Sequence, residues 1–173
     1  LPSYDFVVFE FGGNDCDFDW HDVAEHPDQP HEAKTPLETF ERSYREAVRF
    51  ARANGGNPVL LTLPPIDARR YFKWISRGED TGAILKWLGD VDRIYRWHEM
   101  YNLAVCRVAM REHALLLDIS SSFLERSGYQ DLLCEDGIHP NEKGHDVIFE
   151  SLRQAAHSAA QLGGHKTPRF ALA

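Results

Sequence analysis

The sequence is poor in cysteine, in basic residues and in long apolar runs, and each shortage excludes a class of protein. Three cysteines in 173 residues are few, and an odd number, so a disulfide framework is not expected. The formal net charge of -8 argues against a nucleic-acid partner, because phosphate binding requires a clustered basic face. No apolar run approaches the ~20 residues of a membrane span. With 43% hydrophobic and 27% charged residues, the composition is that of an ordinary soluble globular protein.

The length favours one domain with one substantial core, and neither an internal repeat nor a linker divides residues 1–173. The low cysteine content and the lack of a secretory signal favour a reducing, cytoplasmic compartment. Because the chain begins with Leu1 and not with Met, the sequence leaves open a signal peptide upstream.

Strand-like and helix-like patterns alternate along the chain. Short apolar runs bounded by glycine or proline predict buried strands, and positions with helical spacing lie between and after them. The predicted strands are 4–11, 58–63 and 114–119, and the predicted helices are 35–53, an interrupted stretch over 68–89, 94–108 and 141–159. This alternation predicts the α/β class, with a parallel sheet covered by helices.

Several boundaries are predicted from local signals. Thr35 is expected to cap a helix that starts at Pro36, with Glu38 closing a capping box. The polar residues 14–34 predict a loop, and the tail after residue 164 is expected to fray.

Two polar segments follow predicted strands, one directly after the first strand and one past a short helical stretch after the third. Ligands of open α/β sheets bind beyond the carboxyl ends of the strands, so these segments are candidate site loops. In Asp136-Gly137-Ile138-His139-Pro140 the carboxylate can reach the Nδ1–H of the imidazole and leave Nε2 free as a general base. In Gly12-Gly13-Asn14-Asp15 the Asn14 amide can donate to an oxyanion. The alternatives are that Asp136 and His139 cap the helix near Asn141, and that Asn14 belongs to an ordinary turn.

Two metal-like patterns are rejected. Residues 15–19 resemble the start of a calcium loop, but Trp20 stands where that loop needs glycine and His26 where it needs glutamate. His21, His26 and His31 are spaced by five residues, which matches no helical or finger-type zinc pattern. A surface loop is the expectation for both.

Together the two polar segments resemble the SGNH (GDSL-type) hydrolase family. Gly12-Gly13-Asn14-Asp15 is similar to its Gly–any–Asn–Asp block, and Asp136-Gly137-Ile138-His139-Pro140 to its Asp–any–any–His block, in the family's order. The resemblance implies a flavodoxin-like three-layer α/β/α fold and hydrolysis of carboxylic esters without metal or organic cofactor. It also implies that His139 is the general base, Asp136 its orienting carboxylate and Asn14 an oxyanion-hole donor.

The family's Gly-Asp-Ser nucleophile block is not found in the 173 residues. We therefore expect the first strands of the fold to be missing, and the strand at 4–11 to be an open edge that pairs with an N-terminal segment or a second chain. The serine would then come from outside this chain. Cys16 and Cys134 lie near the two segments; a thiol nucleophile is the alternative to incidental, buried cysteine.

The sequence predicts an esterase for a small soluble substrate, with an acylated carbohydrate as the first guess. Four aromatic residues could form a wall on which a sugar ring or an acyl chain stacks, although most of them are expected to pack in the core: Phe72, Trp74, Trp87 and Trp97. Residues 64–67 either shape the pocket or simply end a strand. The alternative function is an inactive hydrolase-like module that binds ligands or partners.

Overall fold

The computed structural model describes residues 5–163 and 170–172, with side-chain surroundings for residues 5–158. Four parallel strands form one sheet in the order β3–β2–β1–β4. The strands are β1 (Phe6–Phe9), β2 (Asn57–Leu61), β3 (Leu115–Leu117) and β4 (Phe170–Leu172). The helices are α1 (Trp20–Glu25), α2 (Leu37–Ala53), α3 (Ala68–Ile75), α4 (Thr81–Leu88), α5 (Asp92–Glu112), α6 (Ser120–Leu124), a 3₁₀ turn (Tyr129–Leu132) and α7 (Glu142–Gly163).

The sheet is covered on both faces. Successive side chains of a strand point to opposite faces, so β1 contributes to two clusters. Val7 and Phe9 join the main core, which α2 and α5 complete. Val8 joins a smaller cluster against which Ile148 and Leu152 of α7 pack. The predicted three-layer α/β/α fold with a parallel sheet is therefore confirmed.

The register of the sheet places the carboxyl ends of β1 and β2 side by side. Phe6 pairs with Asn57 and Phe9 with Leu60 in a parallel ladder. The residues that follow β1 therefore leave the sheet next to those that follow β2. Sites in open α/β sheets form at this edge.

Two predictions around α1 and α2 were wrong. The predicted loop 14–34 contains the short helix α1, whose N-cap is Asp19 and whose buried contact is Val23. Six residues are too few to show a helical period in the sequence. The second helix begins at Leu37 without a side-chain cap, because its N-cap residue is Pro36, whose side chain has no hydrogen-bond acceptor. Thr35, the predicted cap, instead accepts the Tyr101 hydroxyl on its carbonyl at 2.6 Å.

The edge of β1 opposite β2 was predicted to be open, and this prediction was also wrong. Phe6, Val7 and Val8 pair in parallel with Phe170, Ala171 and Leu172 of β4. An unpaired strand leaves a row of free backbone groups, and β4 satisfies part of that row. The tail was expected to fray, and this was wrong for residues 170–172; residues 164–169 lie outside the described residues.

Within the described residues, no helix has both the length and the apolar character needed to cross a membrane.

Candidate active site

A cavity of about 300 Å³ opens beyond the carboxyl ends of β1 and β2. Its lining includes Asn14 from the turn after β1, Leu63 and Pro64 from the segment after β2, and His139 from the loop before α7. The structure thus brings two of the three predicted site residues to one cavity. The third, Asp136, lies behind His139 and reaches it by a hydrogen bond.

The turn after β1 depends on glycine at its first position. Gly12 has a φ of +136°, and a Cβ there would lie 2.9 Å from Leu63 Cδ1. The amide of Cys16 donates to the Gly12 carbonyl at 3.0 Å and closes the turn. This turn presents Asn14, whose side chain is exposed, at the cavity.

Asp136 holds both the backbone of its own turn and the ring of His139. Its Oδ1 accepts the amides of Ile138 at 3.0 Å and His139 at 3.1 Å. Its Oδ2 lies 2.7 Å from His139 Nδ1. A carboxylate bound to Nδ1 fixes the tautomer with the proton on Nδ1 and leaves Nε2 as the proton acceptor. The Asp136 side chain is 16% exposed and that of His139 59%, so the acceptor imidazole is accessible.

The ionisation of Asp136 suits this role. Partial burial would raise the pKa of its carboxyl, but the hydrogen bonds from His139 and from the amides of Ile138 and His139 outweigh burial and lower the pKa. The carboxylate therefore stays charged wherever a neutral imidazole is available as a base.

A close contact with α3 places the Asp136–His139 turn. The Gly137 carbonyl accepts the Asp67 amide at 2.8 Å. A Cβ on Gly137, whose φ is +79°, would lie 2.9 Å from both Arg70 Cβ and the Asp67 carbonyl oxygen. Arg70 also donates from Nη1 to the carbonyls of Gln130 at 3.0 Å and Cys134 at 3.1 Å. The turn is thus tied to the start of α3.

Asn141 caps the N-terminus of α7. Its Oδ1 accepts the Gly144 amide at 3.1 Å, and its carbonyl accepts the His145 amide at 2.8 Å. Asp136 bonds residues of its own turn, and capping of α7 therefore does not account for the Asp136–His139 pair.

No serine is among the described residues that line the cavity. Ser120, which follows β3, is buried and donates to the Leu63 carbonyl at 2.6 Å. Cys16 does line the cavity, but burial, with help from Asp17, raises the pKa of its thiol to about 12. The thiolate is the nucleophilic form of cysteine, so Cys16 is a poor nucleophile at neutral pH.

Aromatic side chains form one wall of the cavity. The Phe18 ring lies 4.9 Å from Trp87 and 5.8 Å from Trp97, measured between centroids. Trp20 extends the wall at 5.6 Å from Phe18. Of the four aromatics considered from the sequence, Trp87 and Trp97 line the cavity, whereas Phe72 packs on the core and Trp74 lies beneath Arg77. Pro64 and Ile66 also line it, so the segment after β2 does shape the pocket.

The residues that looked metal-like bind protein groups. His21 bonds Glu79 at 3.2 Å, and His26 and His31 both bond Asp22, at 3.1 and 3.0 Å. Asp17, in the segment resembling a calcium loop, accepts Trp20 Nε1 at 2.7 Å and Lys34 Nζ at 2.6 Å. Each of these contacts ties the loop around α1 to itself or to the α3–α4 connection.

Among the cavity-lining residues that were not predicted are three titratable ones, Glu10, His98 and His145. The sequence does carry a signal for His98, because it falls on the buried stripe of α5 between Ile94 and Tyr101, where an apolar residue is expected. Glu10 continues the apolar run of β1, and His145 follows the Asp–any–any–His segment. Neither has a local pattern that points into a cavity.

The chain belongs to the GDSL-like lipase/acylhydrolase family, whose profile matches residues 2–147. It is thus a member of a family of ester hydrolases and acylhydrolases. A comparison with curated proteins finds no match.

Solved structures support the same fold. The chain is similar to a lipase/acylhydrolase from Enterococcus faecalis, with a TM-score of 0.60 and 17% identity over 89% of this chain and 62% of the other. It is similar to an α/β hydrolase from the metagenome of Lake Arreo, with a TM-score of 0.57 and 25% identity over 87% and 59%. It is also similar to an acetylxylan esterase from Geobacillus stearothermophilus, solved as a catalytic mutant. That structure has a TM-score of 0.59 and 20% identity over 87% of this chain and 58% of the other. The chain spans less than two thirds of the length of each.

Proposed function

We propose that this chain provides the base and oxyanion side of a serine esterase that cleaves small carboxylic esters. His139 is the general base, Asp136 is its positioning residue, and Asn14 donates to the oxyanion. The nucleophilic serine is supplied from outside these 173 residues. The reaction uses no cofactor.

The observation that carries the proposal is the 2.7 Å contact between Asp136 and His139 at the rim of a cavity that Asn14 also lines. In the proposed reaction His139 Nε2 takes the proton of the serine hydroxyl as its oxygen attacks the ester carbonyl. Asn14 then stabilises the negative oxygen of the tetrahedral intermediate. The imidazolium returns its proton to the leaving alcohol, and water releases the acyl group by the same steps.

The cavity favours a small substrate with both apolar and polar faces. A volume of about 300 Å³ is at the small end of ligand pockets. Its aromatic wall of Phe18, Trp20, Trp87 and Trp97 offers stacking surface, while Glu10 and His98 add polar groups. Aromatic faces bordered by polar side chains suit an acylated carbohydrate, which is the substrate class we propose.

The proposal is tested on the protein as the cell makes it, with 4-nitrophenyl acetate as substrate. We expect His139→Ala to lower kcat/KM by about three powers of ten or more, because general-base function and serine activation are lost together. The matched control is His26→Ala, which removes another imidazole bonded to an aspartate, at 3.1 Å, but outside the cavity lining. The control should keep full turnover, and near-normal turnover of His139→Ala would contradict the proposal.

A second candidate is a hydrolase-like binding module without activity. It is favoured by the lack of a serine among the described residues that line the cavity. This candidate predicts no ester hydrolysis by the natural protein and no reaction with a serine-directed fluorophosphonate. Labelling of any serine with loss of activity would eliminate it.

A further inference from the structure

His98 is a buried imidazole that the proposed reaction does not use. It lies on α5 among fully buried apolar residues, is only 4% exposed, and lines the cavity. Its Nδ1 is buried and has no hydrogen-bond partner within the described part of the chain. A buried polar group without a partner costs about 1–3 kcal/mol, so such a group in a native protein calls for an explanation.

A carboxylate stands behind His98. Glu99 Oε1 lies 3.9 Å from His98 Nδ1, which is an electrostatic contact but too long for a hydrogen bond. Glu99 is itself held, since its Oε2 accepts Asn102 Nδ2 at 3.2 Å and Asn102 Oδ1 accepts the Leu63 amide at 2.9 Å. The segment after β2 therefore holds a carboxylate beside the imidazole through Asn102. His98 lines the same cavity as His139, but its carboxylate neighbour is 3.9 Å away, compared with 2.7 Å between Asp136 and His139.

Two more polar groups, on Trp97 and Glu10, belong to the cavity wall. Trp97 Nε1 is buried without an acceptor among the described residues. Glu10 lines the cavity and interacts electrostatically with His98, His139 and His145. The wall thus offers a donor at Trp97, an acceptor at Glu10 and an imidazole at His98 that can be either.

We propose that His98, together with Glu10, is a specificity-determining pair that binds hydroxyl groups of the ester substrate. This inference rests on the proposed function, because it assigns the polar contacts of the same cavity. A hydroxyl group both accepts and donates, so it can satisfy a ring N–H or the Trp97 N–H and at the same time bond the Glu10 carboxylate. A site built to bond a hydroxyl rejects the analogue that lacks it, because the buried polar groups are then left unpaired.

The test compares two esters of the same carbon skeleton, 2,3-dihydroxypropyl acetate and propyl acetate. Binding to the natural protein carrying His139→Ala, which blocks turnover, is followed by NMR from the indole N–H signal of Trp97, with Trp97→Phe used to assign that signal. We expect the dihydroxy ester to bind at least about tenfold more tightly, since a hydrogen bond to one buried polar group changes a dissociation constant by about that factor. Hydrophobic burial alone would favour propyl acetate, so the two explanations predict opposite orders.

Variants at position 98 sharpen the test. His98→Phe keeps a ring but removes both nitrogens, and it should bring the ratio of the two dissociation constants close to one. His98→Gln can still donate and accept, so it should restore part of the preference for the dihydroxy ester, which a purely structural role would not do. His26→Phe, outside the cavity lining, is the matched control and should leave the ratio unchanged.

Either of two results overturns the inference. One is that the protein with His98 intact binds the two esters equally or binds neither; the other is that His98→Phe leaves the ratio of the two dissociation constants unchanged. Equal binding is also the result expected if water alone satisfies His98. Because the measurement is of binding and needs no hydrolysis, it stands even if the natural protein proves inactive as an esterase.

Discussion

The substitution Gly137→Ala tests how the candidate catalytic turn is held in place. Gly137 lies between Asp136 and His139 with a φ of +79°, a backbone conformation that costs a residue with a side chain about 1–2 kcal/mol. A Cβ would also lie 2.9 Å from Arg70 Cβ, 2.9 Å from the Asp67 carbonyl oxygen and 3.0 Å from the Tyr71 amide nitrogen. Two of these neighbours are backbone atoms of the α3 start and cannot turn aside. Such overpacking costs a further 1–3 kcal/mol or so.

We therefore expect Gly137→Ala to lower the free energy of unfolding by about 2–5 kcal/mol in total. Urea denaturation of the chain, followed by circular dichroism, measures this change. The control is Gly128→Ala, where φ is also +79° but the nearest atom to a Cβ is Asp131 Oδ2 at 3.8 Å. The control should show only the backbone cost, about 1–2 kcal/mol. Equal losses in the two variants would refute the claim that α3 presses on the turn.

Three further predictions follow from the site. Asp136→Asn should lower kcat by about four powers of ten, and it should cost about 1.5–3 kcal/mol of stability through the lost charged hydrogen bonds. Because the pKa of Asp136 is lowered in the folded chain, the stability difference between wild type and Asp136→Asn should have its full value above the ordinary carboxyl pKa of about 3.9. It should vanish as the pH falls through the lowered pKa, and urea titrations at several pH values would show this. Asn14→Ala should reduce kcat by about 10²–10³-fold, while its exposed side chain keeps the urea midpoint unchanged, so a loss of stability without a loss of kcat would contradict the role. Cys16, with its pKa raised to about 12 by burial, should react with iodoacetamide at pH 8 only after unfolding, and rapid modification of the folded chain, detected by mass spectrometry, would contradict its burial.

The features predicted correctly from sequence are those whose signal is local. Asp136 and His139 are three residues apart, and the turn between them is short, so their contact could be expected without knowing the fold. Asn14 joins them because the ends of parallel strands meet at one edge of the sheet. The alternation of strands and helices along the chain likewise predicted a parallel sheet covered by helices.

The features missed depend on tertiary packing. His98 comes from α5, and only the packing of that helix against β2 and the segment after β2 brings His98 to the cavity. Trp20 lies on α1, a helix too short to show a period. The pairing of β4 with β1 joins segments at opposite ends of the chain, and no local pattern in the sequence specifies that contact.

The most direct test of the central claim is to find which serine completes the site. The natural protein is treated with a fluorophosphonate, and the modified residue is located by mass spectrometry. We predict one labelled serine outside residues 1–173, with labelling slowed by His139→Ala and unaffected by His26→Ala. A label on a serine within residues 1–173, or no label in a protein that nevertheless hydrolyses esters, would contradict the account.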